Sequence, residues 1–343
     1  MDPGKVIRFC LVGLPAGLVL ITAASFLYTE WFRPQQAARP DVHEQQFTRM
    51  MRKPVNRVDL EHYVKVLAED IGERHVGKIE SLRAAAYFIE SSLGESNMGY
   101  QVQRQKYLVE GQEVWNLEVT VPGGKKHDEV IVIGAHYDTV AGSPGADDNA
   151  SGVAALLSLA NAFIGTENER TLKFVAFVNE EAPWARTEQM GSLVYAKALK
   201  NKGVNVVAML SLDSLAFFSD AANSQKHPKG APQGAPTVGN FLVLVGNEKS
   251  GQLVRQAKAG FQAGSDLTIE MNIAKPGALH ADRSDHWSFW QVGYPALMIT
   301  DTGPFRYREY HQAGDQMQQI DLDRLEAAGK GLTGIIAAWA KGE

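Results

Sequence analysis

Cysteine is nearly absent. Cys10 stands alone in 343 residues, which excludes an intramolecular disulfide framework and any zinc site built on thiolates. A metal held by this chain would have to rest on His, Asp and Glu. Positive charge is not in excess either: 34 Lys and Arg against 39 Asp and Glu leave a formal charge of −5. No basic stripe of the kind that nucleic-acid binding requires is present. No internal repeat is visible. Apolar residues at 45% and charged ones at 21% are globular values that exclude a disordered or collagen-like chain. The length fits two average domains or one large α/β domain.

Only one uncharged run reaches twenty residues. Residues 9–28 read FCLVGLPAGLVLITAASFLY, and a helix of that length spans roughly 30 Å, the thickness of bilayer hydrocarbon. Lys5 and Arg8 precede it, and Trp31 follows where an interfacial aromatic would sit. We read 1–8 as a short tail, 9–28 as a transmembrane signal anchor that would fix the chain to a membrane, 29–58 as a polar, proline-broken stalk, and 59–343 as the domain that carries the chemistry. A cleaved signal peptide, with a small-residue site around Thr22 to Ala24, is the alternative. The short leading tail would place the large domain on the non-cytoplasmic side, periplasmic or extracellular.

Beyond the stalk, elements alternate. Apolar residues at three- and four-residue spacing predict helices over 59–70, 79–93, 153–163, 191–199, 253–261 and 322–340. Apolar runs predict strands over 115–121, 130–133, 172–178, 204–212, 241–245, 267–273 and 296–299. Such runs separated by helices argue for an α/β fold whose sheet is buried on both faces. Residues 219–239, rich in Gly, Pro and Ser, read as a long loop.

The chemistry begins behind the strand VIVIG. His136 and Asp138 flank one residue, so in an extended chain both side chains leave the same face. Asp148 follows His136 by twelve residues and precedes a Ser-Gly helix start, where the positive end of a helix favours an ionised carboxylate. Taken alone, a surface pair and a solvated turn would explain these residues equally well. The strand TLKFVAFV, however, ends in Asn179-Glu180-Glu181, and adjacent carboxylates there repel unless a cation or shared proton compensates. Asp213 directly follows the apolar run VVAMLSL. Ligands of open α/β sheets bind beyond the carboxyl ends of strands, and three such ends carry these groups. Further on, ALHADRSDHWSF holds His280, Asp282, Asp285 and His286, and REYHQAGDQ holds Tyr310 and His311. Imidazole and carboxylate together suit zinc, and a phenol beside them can donate to a developing oxyanion.

These residues together resemble the co-catalytic di-zinc aminopeptidases of peptidase clan MH. The resemblance runs from about Asp59 to the carboxy terminus. It is carried by an ordered set: H-x-D, then D-N-x-S-G twelve residues from the histidine, E-E, L-D and Y-H. It implies a three-layer fold, a mixed and mostly parallel sheet with helices on both faces. It also implies two zinc ions and hydrolysis of amino-terminal residues from peptides with a free amino terminus. Asp148 looks like the carboxylate that bridges both metals, with His136 and Asp213 completing one and Glu181 and His311 the other. Glu180 resembles the general base acting on the metal-bridged water, Asp138 the acid that orients the His136 ring, and Tyr310 the residue that steadies the oxyanion. Asp285 and His286 resemble an S-D-H segment that stands near the family's site. A cis peptide at Asp148–Asn149 is implied as well.

Two features depart from the pattern. Ala150 stands where glycine is usual, and after Glu181 the chain reads APWARTEQMGS, longer than the compact version and expected to shape the substrate entrance. Three neighbouring readings compete. A glutaminyl cyclase works with one zinc and does not need His136 as a ligand. A carboxypeptidase-type enzyme spaces its first histidine much further from the bridging acid. A non-catalytic membrane-anchored receptor domain would normally have lost ligands, and none is missing here. His280 and Asp282 read as loop residues, Trp184, Phe217 and Phe218 as packing or pocket wall, and Asp301 and Thr302 as strand-end residues within reach of substrate.

Overall fold

The computed structural model describes residues 52–228, 234–275, 278 and 280–342. The segment 9–28, read above as a membrane anchor, and most of the stalk lie outside the described residues. Among the described residues no helix is long and apolar enough to cross a membrane.

Eight strands are found among the described residues: β1 Gln103–Val109, β2 Gln112–Val121, β3 Gly123–His136, β4 Asn168–Phe177, β5 Asn205–Leu212, β6 Leu242–Asn247, β7 Ile269–Ala274 and β8 Ala296–Thr300. The helices are α1 Arg57–Lys65, α2 Ile79–Leu93, α3 Gly152–Ala162, α4 Gly191–Asn201, α5 Gly251–Gly264, α6 His286–Gln291 and α7 Leu322–Lys341. The strands form one sheet in the order β1-β2-β4-β3-β5-β8-β6-β7. Its centre, β4-β3-β5-β8, is parallel; β2 joins β4 and β6 joins β8 in antiparallel fashion. The helix read over 59–70 starts at Arg57 and closes in a π turn, Val66–Ile71.

Period-two alternation explains the layers. Ile131, Ile133 and Ala135 of β3 point to one face with Phe174 of β4 and Leu210 of β5, into a cluster shared with α1, α2, α3, α5 and α7. Val130 and Val132 point the other way with Val175, Phe177 and Met209, against Tyr195, Ala196 and Leu199 of α4 and Phe289 of α6. Helices therefore cover both faces of the parallel centre. Beyond β8 the second face changes. Val243, Val245, Ala274 and Met298 form a small apolar cluster with Ala281 that contains no helical residue.

Candidate metal centre

The four parallel strands end on one edge of the sheet, and the predicted residues gather there. β3 ends at His136, β4 runs out three residues before Glu180, β5 ends one residue before Asp213, and β8 leads into the loop that carries Tyr310 and His311. Asp148 stands four residues ahead of α3. His136 Nε2 lies 3.2 Å from Asp148 Oδ1, 3.9 Å from Asp213 Oδ2 and 4.0 Å from Glu180 Oε2. The other Asp148 oxygen, Oδ2, lies 2.9 Å from His311 Nε2, which is 3.2 Å from Glu181 Oε1. Asp148 thus offers one oxygen to each of two donor sets, His136 with Asp213 and Glu181 with His311. Within each set the donor atoms lie within 4.8 Å of one another. His136, Glu180 and Glu181 form a third set that meets the same limit.

Charge is crowded here. Burial alone would lower His136, yet hydrogen bonds to Asp138 and Asp148 raise it well above its usual value. Burial pushes Glu180 well up, and the Glu181 and Asp213 charges add to this. Burial, with Asp148 beside it, lifts Glu181 to about 7 and Asp213 to about 6. Burial would raise Asp148, but the two imidazoles hold it far below the carboxylate range. Glu181 Oε1 and His311 Nε2 are buried and, despite these close approaches, make no hydrogen bond of good geometry among the described residues. Orphaned donor atoms aimed at one point, in a nitrogen and oxygen set, fit zinc.

Backbone bonds hold the ligands in place. Asp138 accepts from the Glu180 and Glu181 N–H groups, both at 3.1 Å, so its carboxylate fixes the acid pair. His136 Nδ1 is closer to the Asp138 carbonyl (3.2 Å) than to its carboxylate (3.6 Å), so the ring is oriented chiefly through the backbone. The Asp148–Asn149 peptide is cis. Asn149 accepts from Gly152 and Ser214 N–H and donates to Leu212 O, tying the loop to the end of β5. Gly152 has to be glycine: a Cβ there would lie 2.2 Å from Asn149 Oδ1 and 2.7 Å from Leu212 O. Ser151 Oγ donates to Asp147 O and accepts from Leu215 N–H. The D-N-x-S-G pattern is thus a set of close backbone contacts. Ala150, where glycine is usual, is fully buried.

Two residues that the sequence did not point to complete the frame. Asp315 is fully buried and accepts from Asp147 N–H at 2.9 Å and Asp148 N–H at 3.1 Å. Arg74, also fully buried, donates to five backbone carbonyls, among them Tyr137, Pro144 and Gly145 of the loop between His136 and Asp148. The family-pattern spacing ignores both, because a lone charge in a loop carries no periodic signal.

The remaining candidates separate. The Tyr310 ring stacks on His311, with centroids 3.9 Å apart, over Gly303, where a Cβ would meet it at 2.8 Å. Burial and the nearby acids keep its phenol protonated. Asp285 is fully buried with both carboxylate oxygens unpaired among the described residues. Burial lifts it to about 7, and the charges of His136, Asp213 and Asp138 act on it. His286 does not join it: its Nε2 bonds Ala281 O at 2.9 Å and its ring packs edge-on against Trp290. Asp301 is fully buried and accepts from Phe217 and Gly303 N–H. It holds backbone and does not face substrate. Phe217 stacks on Tyr307, and Trp184 and Phe218 pack against the core.

Residues 116–336 match the model of peptidase family M28. The uncharacterized protein YfbL of Escherichia coli K12 is 33% identical over 276 residues, 78% of this chain and 83% of that protein. A probable zinc metalloprotease of Pyricularia oryzae is 25% identical over 66% of this chain, which spans 50% of that relative's length. A solved zinc aminopeptidase from Bacillus subtilis, BSAP, shares the fold at a TM-score of 0.68 and 15% identity, covering 84% of this chain and 96% of that one. On the family match and the YfbL relationship, the chain belongs to peptidase family M28.

Proposed function

We propose that the chain is a zinc aminopeptidase that holds two zinc ions and releases single residues from the amino terminus of peptides. One observation carries this reading: Asp148 turns one oxygen to His136 and the other to His311, the arrangement of a carboxylate shared between two cations. In this reading His136 and Asp213 complete one zinc site and Glu181 and His311 the other. Zinc bound there supplies Lewis acidity toward a carbonyl and toward water.

The chain's own groups do the rest. Glu180 belongs to neither zinc set and is 14% exposed at the edge of the cluster. Its carboxylate takes a proton from the attacking water and passes it to the leaving amine. Burial and the like charges around it raise its proton affinity, which suits a group that must both accept and return a proton. The Tyr310 hydroxyl donates to the oxyanion. Asp138 keeps Glu180 and Glu181 at fixed spacing through their N–H groups. The acids around the centre attract the ammonium of a free amino terminus, which favours exopeptidase over endopeptidase action.

Glu180→Gln tests the assignment. Zinc content should stay at two per chain while kcat falls by about 10²- to 10⁴-fold, the usual contribution of a general base. Mass spectrometry of a digested peptide should show stepwise loss of single residues, and its amino-acetylated form should resist. Full activity in the variant, or cleavage of the acetylated peptide, would overturn the reading.

A further inference from the structure

A groove of about 860 Å³ opens beside the metal centre, with Asp213, Ser214 and Tyr310 at one end. It lies over the face of β8, β6 and β7 on which no helix packs among the described residues. Val243, Val245 and Met298 give it an apolar floor, and Thr302 and Phe305 stand in its wall. This volume falls in the range that holds a ligand of several residues' bulk, well beyond one side chain.

Its lining holds more cations than acids. Lys226, Lys275 and Arg283 line the groove, are exposed, and form no ion pair among the described residues. Away from the metal end the only acid among the described lining residues is Glu270. Asp282, next to Arg283, is bound to Arg186 at 2.7 Å, so its charge is already matched. His280 also lines the groove, and its Nδ1 is buried without a hydrogen-bond partner among the described residues. The groove therefore offers three unpaired cations beside the acids of the metal end, within a chain whose net charge is negative.

Resting on the aminopeptidase reading, we propose that this groove receives the peptide substrate and selects peptides that present a carboxylate to Lys226, Lys275 and Arg283. The ammonium end is drawn to the acids and the carboxylate to the cations, so charge aligns the peptide before chemistry. Low-dielectric walls lined by one sign of charge focus such a field. The carboxylate can come from an acidic side chain or from the carboxy terminus of a short peptide.

The test uses the zinc-loaded full chain and four matched pentapeptides: Leu-Ala-Glu-Ala-Ala amide, its Gln and Lys counterparts, and the Gln peptide as free acid. Leucine p-nitroanilide, which carries no carboxylate, is measured in parallel. The Glu peptide, the free acid or both should exceed the Gln amide in kcat/KM by about fivefold, mainly through KM, and the Lys peptide should be poorest. Which of the two gains shows the source of the carboxylate. The difference should shrink in 0.5 M salt. Arg283→Glu and Lys275→Glu should reverse the order, whereas Lys125→Glu, on the opposite edge of the sheet, should not. Equal rates for all four peptides, or a reversal caused equally by Lys125→Glu, would overturn the proposal. Failure to cleave the anilide as well as the peptides would count against the aminopeptidase reading instead. Isothermal titration of the same peptides into Glu180→Gln would then still decide the groove's preference.

Discussion

Arg74 buries a full positive charge without a carboxylate bonded to it. Its guanidinium donates to the carbonyls of Leu67, Gly72, Tyr137, Pro144 and Gly145 at 2.6 to 3.2 Å. Burial lowers its pKa to about 10, against the opposing field of Asp315, Asp138, Asp148 and Glu181, so it stays charged at neutral pH. It braces both ends of the loop between His136 and Asp148, and its charge offsets acids that would otherwise repel. Replacing it by Met leaves several buried carbonyls without donors, at about 1–3 kcal/mol each. Arg74→Met should therefore destabilise the fold by on the order of 3 kcal/mol or more and weaken zinc retention, while Arg74→Lys should recover part of both. Urea unfolding and zinc content read the two effects. His311 gives a second check at this scale. Burial would lower it, but Asp148 and Glu181 lift its metal-free pKa to about 10, above the ordinary imidazole value of 6.5. In the metal-free protein that pairing stabilises fully below pH 6.5 and is lost as pH rises through 10. Zinc needs the neutral ring, so binding must expel the proton. Titration with zinc at pH 7.5, in two buffers of different ionisation enthalpy, should show at least one proton released per chain; none released would contradict the pairing.

The loop that Arg74 braces from inside is pinned from outside by Glu73. Its Oε1 accepts from Gly142 N–H at 2.7 Å and meets His75 Nε2 at 2.8 Å, and Lys78 pairs with its other oxygen. The Lys78 bond first, then His75 and Gly142, hold this carboxyl down to about 2. Its contribution is present above pH 4.5 and is lost as pH falls toward 2. Glu73→Gln should speed hydrogen exchange at Gly142 and its neighbours at pH 7 while leaving exchange in β3 unchanged, and should flatten the wild-type acceleration between pH 4.5 and 2. The elements themselves differ in how plainly the sequence announces them. α2 falls on the predicted 79–93, and β5 and β8 lie within a residue of their predicted limits, because buried strands and amphipathic helices must be apolar at fixed periods. β1, QRQKYLV, escaped because it is an edge strand with mostly exposed or half-exposed side chains, so no apolar face records it. α6 is six residues long, too short to show a helical period. Glu180, Glu181 and Asp213 were legible because acids at the ends of apolar runs have no structural reason to be there, whereas Asp148 and His311 stood out only through the family resemblance. Arg74 and Asp315 were not legible, because their burial depends on segments distant in sequence folding over them.

On the proposed reading, a metal bound at the candidate centre would act as a staple across the whole molecule. His136, Asp148, Glu181, Asp213 and His311 come from three strand ends, a helix start and a long loop, and four parallel strands bring them to one edge. These acids crowd one another, with two imidazoles beside them and a Ser214 hydroxyl on Asp213, so their like charges oppose the fold unless a cation offsets them. A ligand that binds only the folded chain stabilises it by RT ln(1 + [L]/Kd), about 2.7 kcal/mol at a hundredfold excess over Kd. For a body of this size each kcal/mol moves Tm by roughly 2–4 °C. Chelation should therefore lower Tm by about 5–10 °C, and added zinc should restore it. Asp148→Asn removes a charge that both donor sets share, so it should abolish most of that zinc-dependent shift. Asp213→Asn touches one set only and should leave a partial shift with about one zinc per chain. Equal residual shifts in the two variants would mean that Asp148 serves a single cation, and the shared-carboxylate geometry would then have no mechanistic role.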